Sequence, residues 1–351
     1  MEKIIDPISP ELLKAELTED KKIRNTNRGG NELYVITAQD SPNVLREIGR
    51  LREIAFRAEG GGSGLSMDLD EFDTMENPYK QIVVWDPDAG AILGGYRYIL
   101  GPDVQFRPDG QPILATAHMF RFSEEFIRDY LPHVMELGRS FVAVEYQSSK
   151  AGAKALFALD NLWDGIATVA VQHSQIMYAF GKMTMYPSYD KLARDLILHF
   201  LWKHFPDPEE LVRPIDPVMP GTDGRLMDLI LRDTDFKSDY RNLKDAVRRL
   251  GSNIPPLVNS YMNTSPTMKM FGTAINDTFS DVEETGIMVC FDEMYAEKID
   301  RHIKSYYSDR MIKLRERFPR IAENIDERLL NRHFERRKKV SLKFWNKKKD
   351  K

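Results

Sequence analysis

Cysteine is nearly absent. Among 351 residues only Cys290 carries a thiol, so the sequence can form neither an intramolecular disulfide nor a paired-thiol redox or zinc motif. Long hydrophobic runs are absent too. The most apolar stretch, Leu196 to Trp202, is interrupted by His199 and closed by Lys203, well short of the roughly 18–20 apolar residues of a spanning helix. The opening MEKIIDPISPELLKAELTEDKK has no apolar stretch like that of a signal peptide. These lacks predict a cytoplasmic protein whose contact with a membrane is at most peripheral. The seven histidines (His118, His133, His173, His199, His204, His302 and His333) show no HExxH or other paired spacing, so no metal site is expected. There is no G-x-S-x-G elbow and no phosphate-binding G-x-x-x-x-G-K-S/T loop. A formal charge of −4 argues against a surface built for nucleic acid.

What is present is an ordinary globular composition with one local bias. At 42% apolar residues the chain has enough material for a substantial core. Residues 328–351 hold 11 Lys/Arg against 2 Asp/Glu, while residues 1–327 hold 39 against 52, so the basic end is a separate feature. There Arg336-Arg337-Lys338-Lys339 and Lys347-Lys348-Lys349 flank Val340, Leu342, Phe344 and Trp345, a mixture suited to an anionic bilayer surface. A solvated, disordered end and a dock for an acidic protein remain open readings of the same residues.

Periodicity orders the rest. Residues 1–30 read as a polar arm with a short helix at Pro10–Leu17, ending in the turn Asn27-Arg28-Gly29-Gly30. Glu32–Ala38 reads as a strand. Ser41-Pro42 opens a helix whose Leu45, Ile48, Leu51 and Ala55 share a face. That helix runs into Gly60-Gly61-Gly62-Ser63-Gly64 and an acidic stretch, residues 68–73, which together predict a flexible loop. Gln81–Trp85 and Ala91–Leu100 form a hairpin around Asp86-Pro87-Asp88-Ala89-Gly90. A short helix at Phe122–Leu131, a strand at Glu136–Tyr146, a helix at Lys150–Val171, a strand at Gln175–Met183 and a helix at Tyr189–Phe205 follow. Residues 206–255 predict an insertion, Phe271–Phe279 and Gly286–Phe291 two more strands, and Glu297–Arg328 a helix before the basic tail.

Four motifs punctuate this order: Leu51-Arg52-x-x-x-Phe56, Asp70-Glu71-Phe72-Asp73, Gly94-Gly95-Tyr96-Arg97-Tyr98 and Glu136-Leu137-Gly138-Arg139. The succession resembles the branch of the GNAT acyltransferases that takes acyl groups from acyl carrier protein (ACP). That branch holds the acyl-homoserine-lactone synthases and the amino-acid N-acyltransferases of ornithine-lipid type, often labelled hemolysin-like. The resemblance to the second group continues through Leu162-Trp163-x-Gly165-Ile166, Tyr178-Ala179-Phe180-Gly181, Pro255-Pro256-Leu257-x-x-x-Tyr261 and Asn276-Asp277-x-Phe279-x-Asp281. The arm and the insertion resemble the bacterial subgroup that makes N-acyl-glycine lipids. The resemblance implies an α+β fold, a mixed and mostly antiparallel sheet flanked by helices in an α/β/α sandwich. It also implies an acyltransferase domain over residues 31–295, with residues 206–255 as a helical insertion and residues 296–351 as a helix and basic tail.

It implies chemistry as well: a 3-hydroxyacyl group moved from acyl-ACP to the α-amine of an amino acid, glycine ahead of ornithine, with no bound cofactor. Such a reaction needs a deprotonated amine, a thioester within reach and donors for an oxyanion. Glu136 is the expected proton acceptor with Arg139 beside it, although a surface Glu–Arg pair flanking a strand has the same spacing. Arg52, Phe56, Asp70, Asp73 and Arg97 are the expected amino-acid site, the arginines binding either the acidic pair or the substrate carboxylate. Arg52 has a plainer reading as one more charge on a helix that also carries Arg46, Arg50 and Arg57, and Phe56 as a packing residue. Val142, Val144, Lys150, Gly152 and Lys154 are expected toward the donor's phosphopantetheine. The GNAT pyrophosphate signature Q/R-x-x-G-x-G/A is here Gln147-Ser148-Ser149-Lys150-Ala151-Gly152-Ala153, with one glycine where two are usual, which favours ACP over CoA. Met177, Tyr178, Phe180, Met183, Met185 and Tyr186 read as core, some of them lining an acyl tunnel. An acyl-homoserine-lactone synthase and a non-catalytic acyl-chain or membrane binder remain as rival readings.

Overall fold

The computed structural model describes residues 1–147 and 152–307, and only the backbone course of 152–156. Lys150, the side chain of Lys154, most of the helix expected over 297–328 and the whole basic tail lie outside the described residues. The strands are β1 (Lys22–Asn25), β2 (Glu32–Ile36), β3 (Lys80–Asp86), β4 (Ala91–Leu100), β5 (Phe120–Phe122), β6 (Val134–Val142), β7 (Tyr178–Met185), β8 (Val212–Pro214), β9 (Lys269–Asn276) and β10 (Val282–Cys290). Eight of them make one sheet in the order β1-β2-β3-β4-β6-β7-β10-β9, and β5 pairs with β8 apart from it. Every neighbouring pair in the large sheet is antiparallel except β6 and β7.

The α-helices as far as β9 are α1 (Pro10–Glu16), α2 (Pro42–Ala58), α3 (Glu71–Thr74), α4 (Gly152–Gln172), α5 (Lys191–His204), α6 (Gly224–Ile230), α7 (Phe236–Arg249) and α8 (Pro256–Met262). The stripe on α2 packs Leu45, Ile48, Leu51, Ala55 and Phe56 against Tyr34, Ile36, Val83, Trp85 and Phe141 on one face of the sheet. On the opposite face α4 buries Leu162, Trp163, Ile166 and Val169 against Leu33, Ile82, Val84, Tyr96 and Tyr98, together with α5. Each such side chain contributes about 1.5–3 kcal/mol of transfer free energy. Gly165 lets α4 ride close to the sheet, because a Cβ there would stand 2.5 Å from Ile82 Cγ2. The result is the expected α/β/α sandwich. Among the described residues no helix is long and apolar enough to cross a membrane.

Several expectations change in detail. The polar arm is part of the domain: β1 extends the sheet beside β2, and Leu13 and Leu17 are buried with α2. The acidic stretch is not a free loop, since Asp68 and Asp73 are each 1% exposed and Asp70 caps α3 through a reciprocal pair of hydrogen bonds with Asp73. The strand expected to reach Tyr146 ends at Val142, where the chain tightens into a turn over Val144–Tyr146. The insertion carries α6 and α7, the latter burying Leu243 and Val247 against the core shared with α5.

Candidate active site

Strands β6 and β7 run parallel through only three pairs, the last being Glu136 with Phe180, and then part. β6 follows β4 and β7 follows β10, so the facing edges beyond that point are not laddered to each other. The cause lies in β6. Its pairing with β4 slips between Gly95/Phe141 and Arg97/Gly138, and Arg139 sits in the left-handed region at φ 49°. A bulge of this kind bends the strand that carries it.

The gap between the parted strands is the centre of a cavity of about 650 Å³, within the range of small-molecule sites. It reaches both faces of the sheet. Toward α2 its wall includes Phe56, Arg139, Lys182, Thr184, Tyr186, Phe279 and Glu284. Toward α4 and α8 it is apolar and aromatic, with Tyr96, Leu137, Trp163, Met183, Tyr261 and Ile287. Exposed Glu59 and Gln147 mark one end of the lining, and exposed Asn253 and Pro256 another.

The charged motif residues assemble beneath the α2 side. Arg52, fully buried, donates to both Asp73 oxygens at 3.2 and 3.3 Å and to Gln81 Oε1. Arg97 donates to Asp70 Oδ1 at 2.6 Å and Asp73 Oδ2 at 3.1 Å, with its guanidinium over the rings of Phe72 and Tyr79. Arg139 pairs with Asp68 at 3.0 Å and Asp70 at 3.5 Å and lies 4.5 Å above the Phe279 ring, which meets Phe56 edge-on. Burial opposes ionisation of Asp73, but Arg52 and Arg97 outweigh it and hold the carboxyl well below the usual range. Burial raises Asp68 despite Arg139 and Arg52, and it lowers Arg52. Arg97 is raised, the pull of Asp73 and Asp70 outweighing its burial. The second-motif acids thus clamp three arginines, and of these only Arg139 reaches the cavity.

Glu136 is placed differently from its expected role. It is 2% exposed and does not line this cavity. One oxygen accepts from the Tyr79 hydroxyl, the other from the Thr116 hydroxyl at 2.6 Å and the Thr116 N–H at 3.2 Å. Burial raises its pKa against these donors, and Tyr79 is itself raised by burial and by Glu136. On the donor side, Val142 lines the cavity while Val144 is exposed in the turn outside it, and Gly152 opens α4. Of the Met and aromatic residues, Phe180, Met183, Met185 and Tyr186 reach the lining, whereas Met177 and Tyr178 do not.

Sequence reading missed Lys182 and Glu284. Lys182 pairs with Glu284 at 2.9 Å, and Glu284 also accepts from Thr184 at 2.9 Å and Asn276 at 3.3 Å. Burial lowers the Lys182 pKa, with Arg139 adding to the shift and Glu284 opposing it. For Lys182 a signal was available, since it is the single charge in Tyr178–Met185 and a charge on a covered face needs a partner; Glu284 follows Glu283 in β10, and the sequence does not tell which of the two is covered.

The profile of the acetyltransferase (GNAT) domain matches residues 51–156. Two curated relatives named glycine N(alpha)-acyltransferase are 61% identical to the chain. The one from Bacteroides thetaiotaomicron aligns over 307 residues, 87% of this chain and 91% of its own length. The one from Phocaeicola vulgatus aligns over 306 residues, 87% and 94%. A solved CoA-dependent acyl-homoserine lactone synthase with SAM and isopentyl-CoA covers 44% of this chain and 68% of its own, at 16% identity and a TM-score of 0.28, a likeness too slight to carry weight. With such identity across more than nine-tenths of the relatives' length, the chain is an N-acyltransferase of GNAT fold and belongs to the family of the bacterial glycine N(alpha)-acyltransferases.

Proposed function

We propose that this enzyme transfers a long-chain 3-hydroxyacyl group from acyl-ACP to the α-amine of glycine, with ornithine as the next acceptor, in the making of an aminolipid. The observation that carries the reading is the cavity itself. A single passage through the β6/β7 split joins a charged end, suited to an amino acid, to an apolar end, suited to an acyl chain. A thioester at the split would lie between the two, and its carbonyl oxygen would meet strand edges that no ladder occupies. The names of the relatives favour glycine. The single glycine at Gly152 favours a carrier-protein donor, because it leaves less room for a diphosphate to approach the backbone. No bound cofactor is part of the proposal.

The test supplies the purified protein with matched acyl-ACP and acyl-CoA donors and, in turn, glycine, ornithine and homoserine. Amide product is followed by mass spectrometry and free thiol by colour. Thiol release that depends on glycine, with acyl-ACP much preferred, is expected. Release without acceptor dependence sinks the transferase assignment, and equal kcat/KM for the two donors sinks the carrier assignment. The proposal extends to the basic tail, at the anionic inner leaflet where such a product would go. Truncation after Asn331 should abolish salt-sensitive sedimentation with anionic liposomes and leave activity on soluble acyl-ACP unchanged. A raised KM for ACP would point to carrier docking instead.

A further inference from the structure

Four charged residues line the cavity; Glu59 is exposed at its rim, and the three inside, Arg139, Lys182 and Glu284, form a pattern of two positive groups and one negative. Lys182 stands two residues beyond the last β6–β7 pair, and Arg139 stands at the β6 bulge on the opposite bank. Glu284 comes from β10, laddered opposite Thr184 and so diagonal to Lys182. Its carboxylate is held at three points, by Lys182 at 2.9 Å, Thr184 at 2.9 Å and Asn276 at 3.3 Å, and Asn276 Oδ1 is in turn met by Thr278 at 2.8 Å and His118 at 3.2 Å. The Glu284 side chain is 2% exposed and that of Lys182 12%, and both still line the cavity. Glu136, also buried, faces Tyr79 and Thr116 instead.

A free amino acid carries a carboxylate and an ammonium group on either side of one carbon. A site with two cations and one anion, closed by rings on the remaining side, complements that zwitterion. Phe56, Phe279 and Tyr186 supply the rings here. We propose that Arg139 and Lys182 bind the acceptor's carboxylate and that Glu284 holds its ammonium group and takes its proton. The proposal rests on the amino-acid acyltransferase reading above and adds to it which residues receive the acceptor.

The steps balance without any further reactant. The ammonium group gives one proton to the Glu284 carboxylate, and the freed lone pair attacks the thioester carbonyl carbon at the split. The C–N bond forms and the carbonyl electrons move onto oxygen. Collapse of this intermediate breaks the C–S bond, and the departing thiolate takes the second proton from nitrogen, leaving the amide and a free thiol. Glu284 then returns its proton to water. Burial lowers the Lys182 pKa, and a carboxylate beside it acts in the opposite direction and favours the charged form.

The test compares glycine with glycinamide, which keeps the amine and loses the carboxylate, in the wild-type protein and in Lys182→Met and Glu284→Gln. Wild type is assayed first with a panel of amino acids. If no amino acid is acylated, the transferase reading fails independently of these residues. Given an active wild type, glycine is expected to exceed glycinamide by about 100-fold in kcat/KM. Lys182→Met is expected to cut that ratio below tenfold, mainly by raising KM for glycine; Glu284 also loses its 2.9 Å partner, so a loss of kcat shared by both acceptors is expected as well and the ratio is the readout. Glu284→Gln is expected to lower kcat on both acceptors by about 10²-fold, the scale of one positioned proton acceptor, while KM for the acyl donor holds. A purely structural pair would lower both acceptors and the donor together and leave the glycine/glycinamide ratio intact. That result, or a Glu284→Gln enzyme within threefold of wild type, overturns the proposal. Should Glu284→Gln not fold, the Lys182→Met ratio decides alone.

Discussion

Replacing Asp73 with Asn isolates what the acidic turn contributes. Asp73 accepts from Arg52 at 3.2 and 3.3 Å, from Arg97 at 3.1 Å, from Gln81 at 2.9 Å and from the Asp70 N–H at 3.2 Å, all within a region closed to water. Asparagine keeps the shape, removes the charge and turns an NH2 group toward donors. Arg52, fully buried, would then keep only neutral acceptors, Gln81 and the one amide oxygen left at position 73, while Arg97 would retain the ionised Asp70 at 2.6 Å. Removing one partner of a buried pair costs about 3–5 kcal/mol, and the ion pair left to Arg97 places the loss near the lower bound. At about 2–4 °C per kcal/mol, with the smaller value apt for a chain of this length, Tm should fall by roughly 6–8 °C at neutral pH. Arg52→Met should cost less, because Asp73 then still faces Arg97 and Gln81. The sign with pH follows from Asp73's depressed pKa. Its stabilisation is complete above the unfolded value of about 3.9 and fades as pH falls below it, so the gap between wild type and Asp73→Asn should narrow below about pH 4. Calorimetric melts of the three proteins across pH check this. A Tm for Asp73→Asn within 2 °C of wild type, or a larger loss for Arg52→Met, would refute the reasoning.

The other expectations concern the cavity. Glu136→Gln should lower kcat/KM less than tenfold, since its oxygens meet Tyr79 and Thr116 and not the cavity; a hundredfold loss in steady-state assays would return the proton-accepting role to Glu136. Ile287→Trp, on the apolar side, should depress turnover of long-chain donors at least tenfold and spare short ones, and an equal loss across chain lengths would remove that side from acyl binding. Gly61→Ala would bring a Cβ to 2.7 Å from Tyr186, pressing the ring on the cavity wall. A several-fold rise in KM for the acceptor is expected, and unaltered kinetics would show that the ring yields outward.

Much of the fold was legible because it rests on local chemistry. The Ser41-Pro42 start and the 3.6-residue stripe of α2, the turn at residues 86–90 and the apolar run of β3 are properties of neighbouring residues, and the observed elements match them within a few positions. The acidic turn was harder. Asp68-Leu69-Asp70-Glu71-Phe72-Asp73 reads as loop from its composition, and its capped helix and buried carboxylates depend on three arginines drawn from α2, β4 and β6.

Sequence by itself determined the family, through motif succession, and left the motif arginines two partners, the acidic pair or a substrate carboxylate. Only tertiary structure decided which of them face the cavity. Glu136 and Arg139 are three residues apart, yet the bulge and left-handed turn at Arg139 send one side chain to Tyr79 and the other to the split. Lys182 and Glu284 are 102 positions apart and meet because β7 and β10 share a ladder. A strand's alternation says which residues share a face, but which strands lie side by side, and where two of them part, is set by packing over the whole sheet.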